Sequence, residues 1–226
     1  MLRIAHRGAS GYEPENTLRA VEKAISLQAD MLELDVRVSK DGFVVVIHDK
    51  KVDRITNGKG KVNTLTLEEL KHLDAGDKQG ISTLDEVLGR IKGRAKINID
   101  LKEDEAVHPT LKLIEKHVRT TDFSFDDFLI SAFKPSILWN IKRQNHNLHV
   151  CFNFVAFPPF FLILSKLMGL TYIKPQKRLI TPEFTHIAHS FGFLILAWTI
   201  NTKEDVERMR MCHVDGIVTD YPDIPL

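Results

Sequence analysis

Residues 31–49 read Met31-Leu32-Glu33-Leu34-Asp35-Val36-Arg37-Val38-Ser39-Lys40-Asp41-Gly42-Phe43-Val44-Val45-Val46-Ile47-His48-Asp49. Met31 to Val36 reads as a strand. Phe43 to Ile47 is a Val/Ile run of the kind found where a strand is buried on both faces. Between them, Ser39-Lys40-Asp41-Gly42 is a tight-turn signal. A parallel crossover needs roughly a dozen or more residues, and only six separate these runs. Either the connection lacks its helix or the two runs form a hairpin. The adopted reading is a barrel with an irregular second connection.

Working outward, Leu2 to Ala5 is a strand, and Asn16 to Ala29 is a helix with a stripe of Leu18, Val21, Ile25 and Leu27. Downstream of His48, residues 49–80 are polar, with Thr66 capping a short helix to Leu73. Thr83 caps a helix to Ile91, with Glu86 at its third position. Strands are then expected at Ala95–Leu101, Phe128–Ser131, Leu148–Phe154, Tyr172–Ile173, Leu194–Thr199 and Gly216–Val218. Helices are expected at Glu105–Val118, Pro135–Gln144, Phe157–Met168, Thr181–Phe191 and Lys203–Cys212. Strand and helix alternate end to end, with no composition break or internal repeat. That pattern predicts a parallel sheet, and the count of nearly eight strands favours a closed (β/α)8 barrel of the TIM type. Residues 1–226 read as one domain, with 51–80 as a small insertion after the third strand. No G-x-G-x-x-G follows the first strand, so the dinucleotide-binding signature is missing.

Lys and Arg number 31 against 30 Asp and Glu, a net charge of +1. This removes the global field that would recruit nucleic acid. Cys151 and Cys212 sit in apolar surroundings without metal-ligand spacing. They read as free structural thiols, which fits a reducing, cytoplasmic setting. No secretory leader is visible. The longest apolar stretch, Val150 to Leu170, is broken by Asn153, Pro158, Pro159, Ser165 and Lys166, and falls short of the ~20 clean residues of a membrane span. It is nonetheless greasy for a barrel exterior.

In such barrels the site is built at the C-terminal ends of strands. His6-Arg7-Gly8, Glu33 and Asp35, His48-Asp49, Asp100 and Lys102, Ser131 and Phe133, and Trp198 with Asn201 all fall there. Glu33 and Asp35 are two apart, so they leave one face of the strand. Two ionised carboxylates are costly to bury together, and a cation is the plain remedy. Asp100 adds a third hard oxygen donor, a set suited to Mg²⁺ or Ca²⁺ rather than zinc. Arg7 suits bidentate phosphate contact.

In order along the chain, His6-Arg7-Gly8, Glu15-Asn16-Thr17, Glu33-Leu34-Asp35-Val36, Asp41-Gly42 and His48-Asp49 resemble the glycerophosphodiester phosphodiesterase family. Thr83-Leu84 with Glu86, Asn98-Ile99-Asp100-Leu101-Lys102, Ser131 with Phe133, Trp198-Thr199-Ile200-Asn201 and Asp215-Gly216-Ile217-Val218-Thr219-Asp220 continue the likeness. The resemblance implies a PLC-like phosphodiesterase barrel that hydrolyses glycerophosphodiesters to sn-glycerol 3-phosphate and an alcohol with one divalent cation. It implies His6 and His48 as the acid/base pair, and Glu33, Asp35 and Asp100 as metal ligands. Arg7 and Lys102 become phosphate contacts, Trp198 a wall at the glycerol end, and residues 51–80 a cap over the site. Three positions depart from the pattern. Asp100 stands where the family usually has Glu, although the sphingomyelinase D branch of related barrels has Asp; His213 often is Gly; Ser82 often is Pro. A lysophospholipase D acting through the same site is the alternative, because Phe157 to Leu170 is so apolar; membrane contact is compatible with either reading and required by neither. A barrel that binds a phosphorylated metabolite without chemistry would be expected to lack a His or a ligand. Here both His and all three carboxylates are present.

Overall fold

The computed structural model describes residues 1–156 and 161–226. Its strands are β1 (Leu2–His6), β2 (Met31–Val38), β3 (Val44–Val46), β4 (Lys96–Leu101), β5 (Phe128–Ala132), β6 (His149–Phe154), β7 (Tyr172–Pro175), β8 (Leu194–Ala197) and β9 (Gly216–Thr219). The helices are α1 (Leu18–Ser26), α2 (Leu67–Lys71), α3 (Leu84–Ile91), α4 (Val107–Thr120), α5 (Pro135–Gln144), α6 (Phe161–Leu167), α7 (Pro182–Ser190) and α8 (Lys203–Met211). Parallel pairing runs β1-β2-β4-β5-β6-β7-β8-β9, and β9 pairs back onto β1. The result is a closed eight-stranded parallel barrel of TIM type with helices outside.

The Val/Ile run is not a barrel strand. β3 pairs antiparallel with β2, placing Val36 opposite Val46 and Val38 opposite Val44. The expected irregular crossover is therefore a hairpin, turned at Ser39 to Gly42. Gly42 has φ +88° with open space around it, which the turn requires and a side chain would resist. Val44 and Val46 join the main core, while Val45 and Ile47 anchor a second small core with Val52, Val62, Leu70, Ala75 and Ile81. Burial on both faces was thus legible, but the second face belongs to the inserted segment. Barrel closure falls to β9, so Trp198 and Asn201 follow the seventh barrel strand.

Strand β2 shows how the layers divide. Leu32, Leu34 and Val36 face the helices and pack in the main core. Met31 packs with Ile4, Leu129, Cys151, Leu196 and Val218 inside the barrel, and Glu33 and Asp35 continue that inner face towards the C-terminal rim. Apolar side chains plug the lower barrel, so the polar ones gather at the mouth.

Helix starts follow the caps. Thr66 with Glu69 and Thr83 with Glu86 form reciprocal capping boxes. Thr17, Thr181 and Thr202 each accept a backbone N–H of the first turn, contributing about 1 kcal/mol apiece. His213 has φ +55° just after α8, a left-handed position that favours Gly. The start of the helix expected from Phe157 lies outside the described residues; Phe161–Leu167 is helical. Both cysteines are free and buried, and burial pushes the Cys151 thiol up to about 12. Among the described residues no helix is long and apolar enough to cross a membrane.

Candidate active site

The parallel register assembles the mouth. It sets His6 beside Glu33, Glu33 beside Asn98, Asp35 beside Asp100, and Asp100 beside Ser131. Glu33, Asp35 and Asp100 are buried, and one oxygen of each lies within 4.8 Å of the others. Two metal–oxygen bonds of about 2.0–2.6 Å span at most about 5 Å. The three carboxylates therefore fit one hard divalent cation.

Fixed cations surround the same acids. Lys102 Nζ lies 2.7 Å from Asp35 Oδ1 and also donates to Asp100 Oδ2. Arg7 Nε sits 3.1 Å from Asp35 Oδ2 as an ion pair. The Arg7 amide donates to Glu33 Oε2 at 3.1 Å, and Lys174 Nζ is 3.6 Å from Glu33 Oε1. Burial alone would push the Asp35 carboxyl up, but the nearby Lys102 and Arg7 charges hold it well below the usual range. The Lys102 ammonium is likewise held charged against burial by Asp100 and Asp35. Arg7 adopts φ +57°, the left-handed backbone that aims its amide at Glu33.

Asp100, although one methylene shorter than Glu, reaches the cluster. Its Oδ1 accepts from Ser131 Oγ at 2.9 Å and Asn153 Nδ2 at 2.7 Å, while its Oδ2 turns to Lys102. Asn98 donates to Ser131 at 2.8 Å, and Lys174 donates to Asn98 Oδ1 at 3.0 Å. This buried network holds the residues that bear on Asp100.

Each imidazole is backed by a carboxylate. His6 Nδ1 donates to Asp220 Oδ1 at 2.6 Å. Asp220 also accepts from Ser10 Oγ at 2.9 Å and Asn201 Nδ2 at 2.5 Å. His48 Nδ1 donates to Asp49 Oδ1 at 2.6 Å. An ionised carboxylate only accepts, so both rings carry hydrogen on Nδ1 and present Nε2 as the other nitrogen. Burial lowers the His6 pKa, but Asp220 and Glu33 outweigh it, and the ring titrates above its ordinary value. Burial would raise Asp220, yet its bond to His6 brings it to about 2. Behind Asp49, Arg54 Nε donates at 2.6 Å and Arg54 Nη2 reaches Glu15 Oε1 at 2.7 Å; Glu15 in turn accepts from Arg7 Nη1 at 2.9 Å.

All eight residues singled out from the sequence (His6, Arg7, Glu33, Asp35, His48, Asp100, Lys102 and Trp198) line one pocket. Trp198 packs edge-on to Phe133, ring centroids 5.7 Å apart, and its Nε1 donates to the Lys174 carbonyl at 2.9 Å. The two rings form an apolar wall of the pocket. A cationic, acid-lined floor beside two imidazoles can bind an anionic ester and move protons to and from it.

The model of the Glycerophosphoryl diester phosphodiesterase family matches residues 6–224. The chain belongs to that family of phosphodiester hydrolases. It is similar to a Glycerophosphodiester phosphodiesterase of Caldanaerobacter subterraneus subsp. tengcongensis, 38% identical over 232 residues, covering 97% of this chain and 94% of the relative. A Lysophospholipase D of Mus musculus is 27% identical over 266 residues, covering 96% and 78%. Among solved structures, an Oleispira antarctica phosphodiesterase in complex with the product sn-glycerol-3-phosphate superposes with TM-score 0.92, at 27% identity, covering 99% of this chain and 94% of that one. Family membership agrees with the order of motifs from His6 to Asp220. Asn153 and Lys174 escaped the sequence reading, because each sits in an apolar stretch where a lone polar residue looks incidental. The available signal was their place at the C-terminal ends of strands, the same rule that found Asp100.

Proposed function

We propose that the protein hydrolyses glycerophosphodiesters to sn-glycerol 3-phosphate and an alcohol, with His6 and His48 as acid and base and one divalent cation, Mg²⁺ or Ca²⁺, held by Glu33, Asp35 and Asp100. The observation that carries this reading is the convergence, in one pocket, of three clustered carboxylates with two imidazoles, each backed by its own carboxylate. When bound, the cation neutralises charge on a phosphate oxygen and acts as a Lewis acid. Arg7 and Lys102 would donate charge-assisted hydrogen bonds that strengthen as negative charge develops. One imidazole Nε2 takes the proton of the attacking oxygen, and the other protonates the departing alkoxide. Asp220 and Asp49 hold the rings, and Asp220 favours the charged form of His6. Trp198 and Phe133 would exclude water from the carbon side of the glycerol. The segment 51–80, whose Arg54 is linked through Asp49 to His48, would cap the alcohol end. Two buried free thiols favour a reducing, cytoplasmic setting and a role in glycerol and phospholipid turnover.

The test is turnover of glycerophosphocholine with and without chelator. Chelation is expected to abolish activity, and Mg²⁺ or Ca²⁺ to restore it. Full activity in excess chelator would remove the cation from the reading. No turnover under any metal would remove the substrate.

A lysolipid substrate is the second reading. It is favoured by the outward face of α6, where Ile163, Leu164 and the 77% exposed Leu167 offer apolar surface. Lysophosphatidylcholine hydrolysed faster than glycerophosphocholine would select it.

A further inference from the structure

Asp35 and Asp100 engage their oxygens unequally. Asp35 Oδ2 accepts from Asn16 Nδ2 at 3.0 Å and meets Arg7 Nε at 3.1 Å. Asp100 Oδ1 accepts from Ser131 Oγ at 2.9 Å and Asn153 Nδ2 at 2.7 Å. A carboxylate oxygen has about two lone-pair sites, so these two oxygens are filled. A further ligand must take Asp35 Oδ1 and Asp100 Oδ2. One group already bridges that pair: the Lys102 ammonium, 2.7 Å from Asp35 Oδ1 and donating to Asp100 Oδ2.

A divalent ion held by Glu33, Asp35 and Asp100 would use the same two oxygens. Two cations bridging one pair of oxygens stand side by side with no water between them, and like charges repel strongly there. At equal distance a double charge also attracts both oxygens more strongly than an ammonium does. The acids cannot part, because Asp35 and Asp100 are register partners on adjacent strands. Lys102 can move, on its flexible four-carbon stem. Its side chain is 10% exposed, and it lines a second cleft as well as the catalytic pocket. That cleft carries Glu103, Asp104 and Glu105, so the ammonium meets negative charge on that side too.

We propose that Lys102 is an internal counter-ion of the metal site. Its ammonium holds Asp35 and Asp100 together until a divalent cation takes Asp35 Oδ1 and Asp100 Oδ2, and the ammonium so released turns to the phosphate. Arrival of the cation therefore frees a phosphate contact. The inference rests on the cation reading above and adds a competition and a coupling within it. By linkage, cation and phosphate then strengthen each other's binding.

The experiment is calorimetry of Mg²⁺ and of Ca²⁺ binding to the wild type and to Lys102→Met, with crystal structures of the wild type grown in chelator and in the ion that binds. Removing the competitor is expected to tighten the cation's Kd by about tenfold. Inorganic phosphate, titrated into the cation-loaded protein, should bind about tenfold more weakly to Lys102→Met than to the wild type. In the crystals, Lys102 Nζ should leave Asp35 Oδ1 when the ion is bound. A residue that only contacts phosphate would lower phosphate affinity and leave the cation's Kd unchanged or weaker, and that result overturns the proposal. So does an ammonium that stays within hydrogen-bond distance of Asp35 Oδ1 beside the bound ion. The crystal comparison needs no variant, so it decides the matter even if Lys102→Met does not fold. If neither ion binds the wild type, the cation reading falls and this inference with it; if the ion binds and Lys102 keeps its place, only this inference falls.

Discussion

The two imidazoles at the barrel mouth are supported in opposite ways. His6 draws its carboxylate, Asp220, from 214 residues away, and neutral Ser10 and Asn201 hold that carboxylate in place. His48 draws Asp49 from the next position, and a cation from the inserted segment, Arg54, holds it. The side chain of His6 is 17% exposed and that of His48 37%. One support is closed only when β9 zips onto β1; the other is local, and the ring it holds is the wetter of the two. The barrel therefore imposes the geometry of His6, while the chain's own adjacency and the insertion set that of His48. Interactions in the less exposed, lower-dielectric setting are worth more and are screened less.

The comparison can be broken most severely at the rings themselves. His6→Ala and His48→Ala are each expected to lower kcat by about 10²–10⁴ with little change in fold. Steady-state kinetics with circular dichroism checks this, and near-wild-type turnover in both ends the acid/base roles. Next come the carboxylates behind them. Asp220→Asn should lower kcat about 10–10²-fold, and Asp49→Asn by less, because the wetter ring is less strictly held. Equal losses would show that both supports matter alike.

A pH measurement sharpens the same contrast. The His6 pKa is raised in the fold, so its stabilising contribution is complete below its unfolded value and is lost as pH rises through the folded one. Asp220 is lowered to about 2, so its contribution is present above its unfolded value and is lost as pH falls towards about 2. The pair is thus fully charged in mildly acid solution. The Tm difference between wild type and Asp220→Asn should be largest near about pH 5 and shrink at about pH 8. A difference independent of pH would mean that the pair stabilises by packing alone. The smallest expected effect is Arg54→Ala. It removes an exposed ion-pair relay, and should change kcat only a few-fold and stability by no more than about 1 kcal/mol.

Most of the fold was legible because its signals are local. Thr66 and Thr83 announced their helices through side chains that bond to the first turn, and Pro135 to Gln144 is helical over the expected residues. β3 was harder. A Val/Ile run shows that both faces are buried but not what buries them. A hairpin covered by residues 51–80 and a barrel strand without its helix write the same letters. The site divides the same way. Charged residues at strand ends stood out against apolar neighbours, so Glu33, Asp35, Asp100 and both imidazoles could be named together. Asn153 and Lys174 carry no local mark of function, and their meaning lies in what faces them across the barrel.

By itself the sequence determined which residues had to leave water, which faces of β2 they would take, and that three acids at strand ends needed positive charge near them. These follow from period-2 geometry and the cost of burying charge, and neither depends on the rest of the molecule. Only the tertiary structure decided that Asp220 would serve His6, that Lys174 would reach Glu33, and that Lys102 would bridge Asp35 and Asp100. Those outcomes depend on register and closure of eight strands, a property of the whole ring that no single segment contains.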